Sequence, residues 1–364
     1  MIVFQKSPLK ATEPYPNNIL IIKMSSLGDV IHALPSLAAL RALYPKAQIH
    51  WVVEADLAPL LPGPPFLDKI IVFPRAELKI SSPIRFFRAL NGLRRQLKEV
   101  RYDLSIDFQA LAKSSLVAFL AGAQKKLAYW ETREGSFLVS KGVKGPNAND
   151  HVIQRYLDVI RYLGPVAPKL TFPLPDFTRE KTSLNKTLKI MGSNSPRVIF
   201  CPGASWPTKL WPPENYAALA GLLAKEGYSL VLAGGPLESA LALRIKALAP
   251  RAPIVDLTGQ TDLRGLMALA TLGQLIIGSD SGPTHVAAAT GRPTISLYGP
   301  NNPQRTGVWG PLAHNILSPA PCAPCFKKDC PKDFICMERL TVETVFAAAK
   351  KALNLTENHS SKKA

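Results

Sequence analysis

The sequence predicts an α/β fold of two Rossmann-like, doubly wound domains facing each other across a cleft. Short apolar runs rich in β-branched residues alternate with stretches whose apolar residues recur at helical spacing, the pattern of a parallel sheet with crossover helices. The alternation runs twice, once from Ile19 and again from Arg197. Each series opens with a strand that ends in a polar loop leading into a helix, and open α/β sheets bind ligands at the carboxyl ends of their strands.

In the first series, Ile19, Leu20, Ile21 and Ile22 form the apolar run of a buried parallel strand over 18–24. Ser25-Ser26-Leu27-Gly28-Asp29 is the turn. Residues 30–43 follow as a helix, apolar at Ile31, Leu34, Leu37, Ala38 and Leu40 and ended by Tyr44-Pro45. Residues 48–53, 69–73 and 104–107 read as further strands. Between the last two, Ile84, Phe87, Leu90, Leu93, Leu97 and Val100 recur at helical spacing, and Arg85, Arg88, Arg94, Arg95 and Lys98 fill the other positions. That is an amphipathic helix with a basic face.

Around 172–196 the alternation breaks at Pro173, Pro175 and Ser193-Asn194-Ser195-Pro196, the composition of a linker. The second series then reads strand 198–201, helix 214–226, strand 229–233 and helix 237–248. Strands near Ile254, at 275–277 and at 294–298 follow, with a last helix over 341–353. The resulting organisation is a loose tail (1–18), a first domain (19–175), a linker (176–196), a second domain (197–340) and a terminal helix with its tail (341–364).

Composition narrows the function. A chain of 364 residues with 47% hydrophobic and 19% charged residues is globular. No run reaches the roughly 18 apolar residues that cross a bilayer, and the first residues lack the apolar stretch of a signal peptide, so a cytoplasmic protein is expected. The net charge of +18 favours anionic partners, with eight basic residues over 75–101 against Glu77 and Glu99. Nucleic acid is not among the expected partners, because the charge is spread over two α/β domains with no recognisable reader module. A dinucleotide oxidoreductase is disfavoured because neither opening loop is Gly-x-Gly-x-x-Gly and no clear acid follows on a second strand.

Four loops carry candidate chemistry. Residues 278–291, Gly-Ser-Asp-Ser-Gly-Pro-Thr-His-Val-Ala-Ala-Ala-Thr-Gly, join a strand to a helix whose first N–H groups and dipole suit a phosphate. Asp280, Ser281, Gly282 and His285 lie here. In the loop 201–212, Ser205, Thr208 and Lys209 offer hydroxyl and ammonium groups for phosphate oxygens, while Trp211 packs the turn. Gly234-Gly235-Pro236-Leu237-Glu238 places an acid after a glycine-rich strand end, suited to ribose hydroxyls. Asp29, at its helix start, either caps the helix or accepts the proton of an attacking hydroxyl.

These loops, in this order, resemble glycosyltransferase family nine, the ADP-heptose:lipopolysaccharide heptosyltransferases. The resemblance rests on Ile22-Lys23-x-Ser25-Ser26-x-Gly28-Asp29-Val30, Lys209-x-Trp211-Pro212 and Ser279-Asp280-Ser281-Gly282-x-x-His285. Asp107-Phe-Gln109-x-x-x-Lys113-Ser114, Thr132-Arg133-Glu134 and His151-Val-Ile-Gln-Arg155 are similar to the type I enzyme. The resemblance implies an inverting transferase of the GT-B type, without cofactor or metal, its first domain binding acceptor and its second binding the nucleotide sugar. Asp29 would be the general base, Lys209 with Ser205, Thr208, Asp280, Ser281, Gly282 and His285 the donor site, and Glu238 the ribose ligand. Arg75, Lys79, Gln109, Lys113 and Arg133 would meet the acceptor. The implied partners are an ADP-heptose donor, a Kdo-lipid A acceptor and the anionic inner face of the inner membrane, touched peripherally. A type II enzyme, or a family member using another nucleotide sugar, is the alternative, and a basic nucleic-acid-binding protein is the alternative that is not an enzyme.

The cysteines depart from this pattern. Cys322-x2-Cys325-x4-Cys330-x5-Cys336 is spaced irregularly for a zinc ribbon. The expectation is a family-specific loop with free thiols, and a similar insert in some type II relatives blurs the type I assignment. Cys201 reads as a buried strand end.

Overall fold

The apolar runs assemble into two six-stranded, all-parallel sheets in a computed structural model. It describes residues 15–78, 82–193, 196–333 and 335–360, with side chains excepted at Glu77 and 355–360. The chain divides into two units, Met1–Pro175 and Asp176–Ala364.

The first unit runs β1 (Asn18–Ile22), α1 (Leu27–Leu43), β2 (Gln48–Glu54), β3 (Lys69–Phe73), α2 (Arg75–Leu78), α3 (Pro83–Lys98) and β4 (Leu104–Asp107). It continues with α4 (Ala112–Ala121), β5 (Lys125–Tyr129), β6 (Lys141–Val143) and α5 (Val152–Arg161). The strand order is β3-β2-β1-β4-β5-β6, the dinucleotide-fold order, whose direction reverses between β1 and β4. β1 lies centrally, with Ile21 in register with Trp51 on one side and Ile106 on the other. Its Leu20 and Ile22 pack beneath Leu93 and Leu97 of α3 and Val117 of α4, which is why this strand tolerates no polar residue until Lys23.

The second unit runs α6 (Thr178–Ile190), β7 (Arg197–Cys201), α7 (Pro213–Lys225), β8 (Ser229–Leu232), α8 (Ser239–Leu248), β9 (Ile254–Asp256) and α9 (Leu263–Leu272). Then come β10 (Leu275–Ser279), α10 (Gly282–Ala289), β11 (Thr294–Tyr298), α11 (Pro303–Thr306), β12 (Ala313–Leu317), α12 (Ile335–Glu338) and α13 (Val342–Ser360). Its order, β12-β11-β10-β7-β8-β9, repeats the first unit's topology and reverses between β7 and β10. Trp211 anchors the core: it is fully buried, its ring meets Tyr216 edge-on at 4.8 Å, and its Nε1 donates to the Leu340 carbonyl at 2.7 Å. An indole with its N–H satisfied contributes its full apolar area to stability.

The sequence reading names no element at α4, β5, β6, α5 or α9, and three further features differ from it. The 176–196 stretch carries α6, which packs against α9 and buries Leu188; its single buried leucine leaves too little periodicity to see. β12 was not anticipated, because Ala-His-Asn-Ile-Leu is a half-exposed edge strand without an apolar run. On α3 an amphipathic stripe would bury all its apolar positions. The helix instead buries Leu93 and Leu97 near its C-terminal end and leaves Ile84 and Phe87 in solvent.

Candidate functional site

At the first unit's switch point the loops after β1 and β4 lie side by side. Asp29, in the first turn of α1, turns its carboxylate back on the chain: Oδ2 accepts from the Ser26 N–H at 3.1 Å and its hydroxyl at 3.0 Å. Lys23 Nζ stands 3.8 Å from the same oxygen, itself almost wholly buried, while Asp29 keeps 38% of its side chain exposed. Burial holds the Lys23 ammonium below the usual lysine range, with Arg133 pushing the same way and Asp29 and Asp107 opposing. So Asp29 both caps its helix and offers an oriented carboxylate to solvent beside a buried cation.

The β4 loop supports this turn. Asp107 accepts from the Gln109 and Ala110 N–H groups and from the Ser114 hydroxyl at 2.8, 2.9 and 2.7 Å. These bonds hold Ala110 at a φ of 52°, a left-handed conformation that costs a non-glycine residue energy. Burial pushes the Asp107 carboxyl up to about 6 despite them. Gln109 then gives its side-chain oxygen to the Met24 and Ser25 N–H groups, both at 3.2 Å. It thus braces the loop that carries Asp29.

Arg75 and Lys113 are brought together by a residue the sequence reading passed over. Glu54, buried at the end of β2, receives Arg75 at 2.5 Å and Lys113 at 3.2 Å, and Lys113 also donates to the Ser25 hydroxyl at 3.2 Å. Glu54 occupies the end of the second strand, where a dinucleotide fold keeps its acid; that position was the available signal. Here the acid is committed to two cations. Arg133 lies near enough to Lys23 to act on its charge, and its N–H donates to the Ala110 carbonyl. Arg155 bonds Glu131 at 2.7 Å, and His151 caps α5 while meeting the His32 ring edge-on at 5.3 Å. Lys79 lies outside the described residues.

At the second unit's switch point the loops after β7 and β10 meet in a charged cluster. Lys209 Nζ lies 2.7 Å from Asp280 Oδ2, Asn301 Nδ2 donates to the same oxygen at 2.6 Å, and His285 Nε2 stands 3.5 Å from Oδ1. Burial opposes the Asp280 charge, but His285 and Lys209 prevail and hold its carboxyl below the ordinary range. Ser281 caps α10 and Gly282 begins it, and the Ser281 N–H donates to the Thr284 hydroxyl at 3.4 Å. The first-turn N–H groups of α10 thus begin beside this cluster, at the positive end of the helix.

Thr208 is buried, and its hydroxyl donates to the Lys327 carbonyl at 3.0 Å; Ser205 is exposed. Glu238 reaches back over the β7 loop: a Cβ on Gly203 would come within 2.3 Å of its side chain. Only glycine there lets an acid after β8 sit against the loop of Lys209.

The four late cysteines are free thiols, as is Cys201, buried and raised to about 12 by burial. Cys336 is pushed up by burial and by Cys322, Cys325 and Cys330 beside it. Among the described residues no three His, Cys, Asp or Glu are grouped to hold a metal ion.

Residues 90–335 match the family model described as glycosyltransferase family 9 (heptosyltransferase). The lipopolysaccharide heptosyltransferase 1 of Pseudomonas aeruginosa is 31% identical over 322 residues, covering 86% of this chain and 87% of that protein. The lipopolysaccharide heptosyltransferase 2 of Escherichia coli is 30% identical, covering 81% and 86%. The solved Escherichia coli heptosyltransferase WaaC with ADP superposes with a TM-score of 0.72 at 25% identity, over 92% of this chain and 99% of that one.

Proposed function

The chain belongs to glycosyltransferase family 9, the heptosyltransferases, and we propose that it is the type I member, moving heptose from ADP-heptose to the Kdo region of the lipopolysaccharide inner core. One observation carries the chemistry. Each switch point holds half of what an inverting transfer needs: an oriented carboxylate in the first unit and an anion-binding cluster in the second.

In this reading the acceptor hydroxyl gives its proton to Asp29 as its oxygen attacks the anomeric carbon. The bond to the ADP oxygen breaks on the opposite face, inverting the centre. Lys209 and the N–H groups of Ser281 and Gly282 take up the charge on the departing diphosphate. With those groups fixed in place the step needs no divalent metal. Ser205 borders the same loop, His285 and Asp280 hold Lys209 in position, and Glu238 receives the ribose hydroxyls. Arg75, Lys113 and Arg133 meet the anionic acceptor, with Lys79 assigned to the same role and Gln109 bracing the loop.

The type I assignment is supported by the joined Glu54, Arg75 and Lys113 group beside Asp29, a basic lining suited to the Kdo carboxylates. The type II reading is favoured by the cysteine-rich insert. Product masses on acceptors with and without a first heptose separate the two.

A cytoplasmic enzyme resting on the inner face of the inner membrane completes the proposal. Among the described residues no helix is long and apolar enough to cross a membrane. Ile84 and Phe87 of α3, Phe119 of α4, and Phe137 and Leu138 in the turn after β5 are 61 to 80% exposed. α4 packs against both α3 and that turn. α3 adds five cations and no acid. Apolar tips among arginines suit an anionic lipid surface. Replacing Phe87, Phe119 and Phe137 together by Ser should weaken binding to phosphatidylglycerol vesicles by at least about tenfold and leave transfer to a deacylated acceptor intact. Co-sedimentation equal to wild type would remove this surface from the proposal.

A further inference from the structure

The loop between Cys325 and Cys330 is fastened to two strand-end loops of the second unit. The Phe326 N–H donates to the Pro300 carbonyl at 2.7 Å, one residue from the Asn301 that holds Asp280. On the other side the Thr208 hydroxyl donates to the Lys327 carbonyl at 3.0 Å, one residue from Lys209. Directly after these ties Lys328 is exposed, and its Nζ lies 5.4 Å from the centroid of the Trp206 ring. The same ring carries Lys209 Nζ at 4.7 Å. The two ammonium groups are therefore no more than about 10 Å apart, a gap that the flexible, exposed Lys328 stem can narrow onto a ligand held by the fixed Lys209.

Charge balance gives this arrangement a purpose. Lys209 is already matched by Asp280 at 2.7 Å, so the buried cluster is close to neutral before any ligand arrives. A nucleoside diphosphate brings more than one negative charge, which a compensated lysine and a helix N-terminus only partly meet. We infer that Lys328 is a second diphosphate-binding residue, gripping the donor's phosphates together with Lys209 beside Trp206. The cysteine-rich segment thereby becomes part of the donor site, with the Thr208 hydroxyl as its fastening. The inference rests on the donor reading above and adds to it a residue outside the three family-like loops.

The test is calorimetric titration of the full chain with ADP and with AMP, for the wild type and for Lys328→Ala, Lys328→Arg and Lys327→Ala. Lys328→Ala should lose about tenfold in ADP affinity, the worth of one charge-assisted contact, and stay within about twofold for AMP. Lys328→Arg should recover most of the loss. Lys327→Ala should match the wild type, because the structure uses its carbonyl and not its side chain. Unchanged ADP affinity in Lys328→Ala, or equal losses for ADP and AMP, would overturn the inference. Should the wild type bind no ADP, the donor reading fails. UDP then decides the remainder: weaker UDP binding in Lys328→Ala keeps the two-lysine grip, and no diphosphate binding at all removes it.

Discussion

The Asp29→Asn variant should bind ADP within a few-fold of the wild type and transfer sugar about a thousandfold more slowly, the scale of losing a general base. The amide keeps the shape of the carboxylate and can still accept from the Ser26 N–H, the bond that starts α1 cleanly. What it loses is the capacity to take a proton, and its charge beside the buried Lys23 ammonium. That ammonium would then lack one of the two carboxylates opposing its desolvation, leaving Asp107 as the other, so a modest drop in melting temperature should accompany the loss. The kinetic readout separates the roles. A residue that only caps its helix would lower stability and leave turnover per folded molecule unchanged, whereas a base lowers turnover with ADP affinity kept.

Lys209→Met should have the second-largest effect, on binding and on folding together. ADP affinity should fall about a hundredfold, because the variant removes the buried cation and exposes the ligand to the uncompensated Asp280 charge. Breaking a buried ion pair from one side costs about 3–5 kcal/mol. Asn301 and His285 still hold Asp280, so about 2–3 kcal/mol is expected here. The loss depends on pH in a definite direction. The Asp280 carboxyl is held below its ordinary range in the folded wild type, so its contribution to stability is present above the unfolded carboxylate pKa and disappears as pH falls through the folded one. Wild type and variant should therefore differ most near neutrality and converge in acid. Chemical denaturation at neutral pH and below pH 4 measures this; ADP affinity equal to wild type would take Lys209 out of the donor site.

What could be read before the fold was seen follows from how local each signal is. The central strands announced themselves because β1, β7 and β10 are buried on both faces and so consist of unbroken apolar runs. Their terminal loops were legible for the same reason: the first polar residue after such a run, Lys23 or Ser279, marks the carboxyl edge of the sheet where ligands bind. Glu54 ends an equally apolar strand, yet its importance depends on Arg75 and Lys113 arriving from elsewhere in the sequence, and spacing does not reveal that. Gln109 is expected to meet the acceptor, and its side-chain oxygen also accepts from the Met24 and Ser25 amides, a partnership across the switch point with no local trace. α3 shows the limit of periodicity. Its apolar residues recur correctly, but the helix packs only through Leu93 and Leu97, and how much of an amphipathic face meets the sheet is decided by neighbouring elements. Lys328 left no local trace, because its place beside Trp206 depends on a segment more than a hundred residues away in the sequence.

The central claim is that this chain adds the first heptose to a Kdo acceptor. Purified protein incubated with ADP-heptose and Kdo2-lipid A in the presence of EDTA, with the product weighed by mass spectrometry, tests it most directly. The account predicts a product heavier by one heptose, formed from an acceptor that carries none, with ADP released and EDTA without effect. No product while ADP still binds, or product only from an acceptor that already bears a heptose, would contradict it.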